Sequence, residues 1–158
     1  MNNICFVSSP VGVLEIQDDG ACLTVVRFAP AGTAASAPNS PVAQLAARQL
    51  QAYFAGTLTR FSVPLALAGT PFQQAVWRAL LDIPYGQTRS YGQIAAAINR
   101  PRACRAVGMA NNKNPICILV PCHRVIGAGG NLTGYAGGLT IKEWLLSHER
   151  ATVKKPCK

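Results

Sequence analysis

Apolar residues gather into three short β-favouring runs at the start of the chain, Ile4 to Val7, Val11 to Ile16 and Cys22 to Phe28. Ser9-Pro10 and Asp18-Asp19-Gly20 mark reversals between them, so the pattern predicts an antiparallel meander. A loop rich in Ala, Pro, Ser and Gly runs from Ala29 to Ser40. After it Val42, Leu45, Ala46, Leu50, Tyr53 and Phe54 recur at helical spacing up to Gly56, which predicts a helix covering one face of the sheet. Residues 57–69 read as a connector with one extended piece, Phe61 to Leu67.

The pattern then changes. Thr70-Pro71-Phe72-Gln73 is a capping box with proline at the first helical position, and Phe72, Ala75, Val76, Ala79 and Leu80 make one apolar stripe. This puts a domain boundary near Gly69, with domains 1–69 and 70–158. Ile83-Pro84-Tyr85-Gly86 stops the helix, and Ser90-Tyr91-Gly92-Gln93 opens a second one with Ile94, Ala95 and Ile98 inward. Asn99-Arg100 breaks it. Pro101 suits the first turn of a third helix, with Ala103, Ala106, Val107 and Ala110 inward and Arg102, Arg105 and Met109 on another side. Two short helices joined by a tight turn predict a helix-turn-helix. The apolar run between Pro115 and Pro121 is too short for a helix and reads as one buried extended segment that carries Cys122 from the core toward a surface. A last helix places Ile141, Trp144, Leu145 and His148 inward, and Glu149 on the row of Ile141 and Leu145. The fold class expected is α/β (α+β), a small antiparallel sheet with a helix followed by a mainly helical domain.

Charge separates the two halves. Arg27, Arg48 and Arg60 balance Glu15, Asp18 and Asp19, so the formal net charge of +9 belongs to the chain from Pro71 onward. Between Asp82 and Glu143 there is no acid, while Arg89, Arg100, Arg102, Arg105, Lys113, Arg124 and Lys142 suggest a positive face suited to nucleic acid, or simply a basic soluble surface. The proposed recognition helix is mostly alanine with two arginines, which favours shape-based binding over the reading of base edges. The apolar runs fall short of a membrane helix and no signal-peptide pattern is visible, so an intracellular protein without a membrane partner is expected. Six cysteines (Cys5, Cys22, Cys104, Cys117, Cys122 and Cys157) lie at no metal-finger or Cys-x-x-Cys spacing and read as reduced thiols.

Cys122 with His123 and Arg124 is the candidate chemistry. A thiol attacks as its thiolate, and a free pKa of about 8.5 leaves little of that form at neutral pH without a nearby base or positive charge. Neighbours in an extended chain face opposite ways, so a water between His123 and Cys122 is the easier geometry. Glu149 is a candidate to orient the imidazole. The same residues are also compatible with an ordinary buried cysteine, a solvated histidine and a charge at a fraying helix end.

Taken together, Tyr91, the stretch Arg102-Ala103-Cys104-Arg105-Ala106-Val107-Gly108, Asn114-Pro115, Pro121-Cys122-His123-Arg124-Val125, Tyr135-Ala136-Gly137-Gly138-Leu139 and the run from Lys142 to Glu149 resemble the O6-alkylguanine-DNA alkyltransferases, in register from about Thr70 to Glu149. The resemblance implies a ribonuclease-H-like first domain and a second domain with a winged-helix-like helix-turn-helix that enters the minor groove. It implies irreversible, single-turnover transfer of a methyl or other alkyl group from O6 of guanine in double-stranded DNA to Cys122, with no cofactor. His123 would act as base and Glu149 would complete the relay. Tyr91 and Arg105 would serve extrusion of the base, since an alkyl carbon inside a duplex cannot be attacked in line. Arg102, Ala103, Asn114 and Arg124 would lie at the DNA, with Asn114 also bracing the turn before the active-site segment, and the carbonyls of Cys122 and Val125 would accept from the guanine amino group. Tyr135, Ala136 and Gly137 would line the pocket, Ala136 standing where many relatives have serine.

Some relatives bind zinc through two cysteines and two histidines in the first domain. Here His123 and His148 are the only histidines, so no metal is expected. The expected protein is a monomer in solution, cytoplasmic and nucleoid-associated (nuclear in a eukaryote). Activity on O4-alkylthymine and cooperativity on DNA are left open. Two rival functions use the same residues: a cysteine hydrolase with a Cys-His-Glu triad, and a non-enzymatic DNA-binding module.

Overall fold

The computed structural model describes residues 2–135 and 137–154. The chain divides into two compact units, Met1–Leu67 and Ala68–Lys158. Among the described residues no helix is long and apolar enough to cross a membrane, and no group of three or more His, Cys, Asp or Glu side chains could hold a metal ion.

In the first unit β1 (Asn3–Val7), β2 (Leu14–Asp18) and β3 (Leu23–Phe28) form an antiparallel sheet in that order, with Cys5 opposite Ile16 and Ile16 opposite Val26. The period of two puts Cys5 with Val7 and Leu14 with Ile16 on one buried face, and a register shift between β2 and β3 lets both Leu23 and Val26 join it. That face is covered by α1 (Pro41–Phe54) through Val42, Ala43, Ala46, Leu50 and Tyr53. The middle strand starts later than the sequence pattern predicts, because Ser9 and Gly12 close a turn with reciprocal 3.1 Å backbone bonds. Asp18 ties the layers together. Fully buried, its carboxylate accepts from Asn3 Nδ2, from the Gly20 amide and from Ser40 Oγ, and Ser40 in turn caps α1 by accepting from the Ala43 amide. The connector contributes one bridge, Leu65 running parallel to Leu23.

In the second unit α2 (Pro71–Leu81) starts on the Thr70–Gln73 capping box, both of whose bonds are formed. Its buried side chains are Val76, Trp77 and Leu80. The apolar stripe predicts Val76 and Leu80 but omits Trp77, whose indole Nε1 donates to the Ala110 carbonyl at 2.8 Å. Each buried apolar side chain contributes about 1.5–3 kcal/mol, so this seam anchors α2 to the helix that carries Ala110. Next come β4 (Arg89–Ser90), α3 (Tyr91–Ala97) on its own complete capping box, and α4 (Cys104–Asn112). Asn99, at φ 61°, makes the tight turn between α3 and α4. α4 begins later than the sequence predicts: Pro101 and Arg102 lie in a turn closed by the Ala103 amide on the Arg100 carbonyl, and Ala103 is the N-cap. Ala106, expected inward, is exposed; Val107, Ala110 and Asn111 are the buried residues. A 3-10 turn (Cys122–Arg124) leads into β5 (Val125–Ile126), which pairs in parallel with β4, and α5 (Leu139–Lys154) closes the unit.

Candidate active site

The segment before Cys122 is not the extended strand the prolines suggest. Cys117 pairs with Val120 across a tight turn, Leu119 N donating to the Cys117 carbonyl at 2.8 Å and Val120 N to the Ile116 carbonyl at 3.1 Å. Ile118 sits there at φ 73°, a conformation that disfavours β-branched residues and costs on the order of 1–3 kcal/mol. Asn114 holds the turn from inside. Its Nδ2 donates to the Val120 carbonyl at 2.8 Å and its Oδ1 accepts from the Ile116 amide at 3.0 Å. The fold-back leaves Cys122 only 3% exposed, buried beneath the turn rather than carried out to solvent. It also brings Cys117 to the acceptor thiol.

Hydrogen bonding from the Cys117 side chain lowers the Cys122 pKa below its ordinary value; burial opposes this, and Asn114 and the charge of Lys142 add to the lowering. Cys117 moves the other way, well above the usual thiol range, through that same hydrogen bond and burial. The hydrogen bond between the two thiols therefore favours ionisation at Cys122 over Cys117. The described cysteines are all free thiols.

His123, Arg124 and Glu149 form one buried cluster. Glu149, fully buried on α5, accepts from His123 Nε2 at 2.7 Å, from Arg124 Nε and Nη2 at 2.8 and 3.0 Å, and from the Gly86 amide at 3.2 Å. Burial alone would raise its carboxyl, but the bonds and charge of His123 and Arg124 outweigh that and hold it well below the usual carboxylate range. Burial pushes the His123 imidazole down, more than its bond to Glu149 raises it. An ionised carboxylate can only accept, so Nε2 carries the ring proton. A neutral ring then leaves Nδ1 bare, and Nδ1 is buried with no hydrogen-bond partner among the described residues. The residue that follows Cys122 in the 3-10 turn thus carries a ring nitrogen with a free lone pair.

Arg124 departs from the expectation that it lies on the DNA-facing surface. It is 7% exposed, its Nη1 donates to the Ile83 carbonyl at 2.8 Å, and its guanidinium lies 5.5 Å from the centre of the Tyr85 ring. An arginine so engaged has no fork to offer phosphate. Its work is to keep Glu149 ionised in a dry interior.

Lys142 likewise leaves the basic face. Fully buried, it donates Nζ to the carbonyls of Val125 at 2.5 Å and Thr133 at 2.8 Å, and burial lowers its pKa to about 8. The sequence reading missed this role, although a signal existed: Lys142, Leu145, Leu146 and Glu149 follow the i, i+3, i+4, i+7 rule, and they are the buried row of α5. The row expected inward is shifted, with Ile141, Trp144 and His148 only half-buried and Trp144 stacked on His148 at 5.0 Å. Cys117 was also missed, because its importance arises from a turn the prolines concealed.

Tyr91 opens α3 with its hydroxyl donating to the Thr133 carbonyl at 3.2 Å and accepting from Thr133 Oγ1 at 3.1 Å. That ring lies against α4 at Gly108, where an added Cβ would meet it at 3.7 Å, an ordinary contact. Val125 and Tyr135 are buried and Gly137 is half-buried; Ala136 lies outside the described residues. Arg102 and Arg105 are exposed, Ala103 is half-buried, and no side chain caps the first amides of α4. Helix N-termini of this kind attract phosphate. The exposed face of α4 also carries Met109, at 63% exposure.

Residues 71–151 match the DNA-binding domain of 6-O-methylguanine DNA methyltransferase, and residues 5–67 match the ribonuclease-like domain of the same protein. The chain is 54% identical over 146 residues to the methylated-DNA–protein-cysteine methyltransferase of Methanosarcina acetivorans, covering 89% of this chain and 94% of that one. It is 53% identical over 150 residues to the protein of that name from Mycobacterium bovis, covering 92% and 90%. Among solved structures, the O6-methylguanine methyltransferase of Mycobacterium tuberculosis superposes with a TM-score of 0.89 at 49% identity, covering 100% of this chain and 97% of that chain. The same enzyme in complex with DNA gives 0.86 at 52%, covering 93% and 92%.

Proposed function

The chain belongs to the 6-O-methylguanine DNA methyltransferase family, and from that premise we propose that it repairs DNA by moving the alkyl group of O6-alkylguanine onto Cys122. One observation carries the reading: the His123–Glu149 pair, which leaves a bare imidazole nitrogen on the residue next to a buried thiol already pulled below its ordinary pKa.

The steps balance. The Cys122 proton passes to His123 Nδ1, directly or through a water, and Glu149 stabilises the imidazolium that results. The thiolate attacks the alkyl carbon, the S–C bond forms as the C–O6 bond breaks, and the bonding pair leaves on the guanine oxygen. Proton return to the base completes an unmodified guanine. A thioether cannot be hydrolysed back under these conditions, so each molecule acts once. That outcome separates this reading from a cysteine hydrolase, whose acyl-enzyme would turn over.

DNA is the partner. The reading assigns duplex carrying the lesion to the exposed face of α4: the free amides at its start and Arg102 toward phosphate, and Arg105 toward the gap left by the extruded base, with Tyr91 beside it. Asn114 belongs to the turn rather than to the DNA contact. The protein would work as a monomer in the compartment that holds the DNA, the cytoplasm in a prokaryote.

The test is Cys122→Ser. A hydroxyl is a far poorer nucleophile at neutral pH, so transfer from methylated duplex should vanish while DNA binding persists. Retained transfer would overturn the assignment.

A further inference from the structure

Thr133 stands in the loop between β5 and α5, and hydrogen bonds from two other elements converge on it. Its Oγ1 donates to the Tyr91 hydroxyl at 3.1 Å, that hydroxyl donates to its carbonyl at 3.2 Å, and Lys142 Nζ donates to the same carbonyl at 2.8 Å. The next residue, Gly134, lies against the end of α4, where an added Cβ would meet Asn112 Nδ2 at 3.5 Å. The Tyr91 side chain is thus held at two points, its ring against Gly108 and its oxygen by Thr133. A phenol has one proton to give and lone pairs with which to accept. That proton goes to the Thr133 carbonyl, yet the carbonyl keeps Lys142 if the proton turns away, and the phenol oxygen keeps the Thr133 hydroxyl. The Tyr91 proton can therefore change acceptor without leaving the carbonyl unsatisfied or the ring unanchored.

We propose that Thr133 is a positioning residue for base extrusion: its hydroxyl fixes the Tyr91 oxygen, so that the single phenolic proton passes from the Thr133 carbonyl to a phosphate oxygen of the strand the lesion leaves. The proposal rests on the alkyl-transfer reading above. A phosphate oxygen only accepts, so the group that meets it must be a donor whose proton is free to turn. The bond given by Thr133 Oγ1 draws electron density from the phenol oxygen and makes its O–H the stronger donor. Thr133 acts through Tyr91, and not on the alkyl group or the sulfur. Its contribution therefore belongs to the duplex reaction, since a free base has no strand to leave.

The test is a double-substitution cycle on the rate of transfer from O6-methylguanine in duplex, with free O6-benzylguanine as the second substrate. Thr133→Val keeps the shape and removes the hydroxyl. It should slow duplex repair about three- to tenfold, the worth of one neutral hydrogen bond, and leave the free-base rate within about twofold. Thr133→Ser, which keeps the hydroxyl, should retain the wild-type duplex rate. In a Tyr91→Phe background Thr133→Val should cost nothing further, because the oxygen it positions is already gone. Mere support of the loop by Thr133 would instead slow both substrates and persist in the Tyr91→Phe background. That result, an unchanged duplex rate in Thr133→Val, or a serine variant as slow as the valine one would overturn the positioning role. So would a Tyr91→Phe chain that repairs duplex as fast as the wild type. Absence of S-alkylation at Cys122 in the wild type, from duplex and free base alike, would overturn the alkyl-transfer reading beneath it instead.

Discussion

Arg124 and Arg105 belong to the same basic, acid-free stretch of sequence, yet the fold treats them in opposite ways. Arg124 is buried against Glu149, the Ile83 carbonyl and the Tyr85 ring, and Lys142 is buried with two carbonyls. Arg105 stands exposed on α4 beside Arg102 and Met109. The first group spends its charge inside the protein, setting the ionisation of the groups around Cys122. The second leaves its charge for a polyanion. A basic composition therefore overstates the DNA-facing surface, and the surplus is what charges the active site.

The largest effect should come from breaking the buried side. Glu149→Ala removes the counter-charge of Arg124 and the acceptor of His123 together, and should destabilise the chain by about 3–5 kcal/mol in urea unfolding. Transfer should fall with it, since the imidazole loses what orients it. A loss below about 1 kcal/mol would mean that the cluster is not the closed network described.

Acid sharpens the same point. The folded Glu149 carboxyl titrates well below its unfolded value of about 4.3, so as pH falls the unfolded chain takes up the proton first. Stability from this group is whole above about pH 5 and is lost as the solution is acidified below it. Unfolding midpoints measured from pH 7 to pH 3 should drop steeply in the wild type and less steeply in Glu149→Gln. Parallel profiles would count against the role given to Glu149.

On the exposed side, Arg105→Ala should slow repair of duplex by about tenfold or more and leave reaction with free O6-benzylguanine nearly unchanged, because only the duplex requires extrusion. Arg105→Lys should recover little, lacking the planar guanidinium. Equal losses on both substrates would reduce Arg105 to an ordinary contact. Arg102→Ala should have the smallest effect: affinity weakened several-fold across sequences, and a salt slope shallower by about 1 in a log–log titration. An unchanged slope would remove Arg102 from the phosphate contacts.

What could be read from the sequence was local. The capping boxes at Thr70–Gln73 and Ser90–Gln93 lie within four residues each and form as read. The alternation of the first strands and the register of α1 needed only short-range pattern. The motif around Cys122 could also be read, because its residues are contiguous or fall at fixed offsets. What could not be read depends on partners distant in the chain. Arg124 looks like a surface charge until Glu149 is brought to it from α5, and Lys142 until the Val125 and Thr133 carbonyls are. The turn at Ile118 was hidden for another reason: a β-branched residue at positive φ contradicts local preference and persists only because Asn114 holds both sides of it.

The central claim is that a buried thiol beside a bare imidazole nitrogen takes one alkyl group and keeps it. Duplex DNA labelled on the O6-methyl group, in excess over the protein, measures this directly through the amount and location of label transferred. The account predicts one equivalent per chain, carried as S-methylcysteine on the peptide containing Cys122, with no further release however long the incubation. More than one equivalent, or label on any other residue, would contradict it.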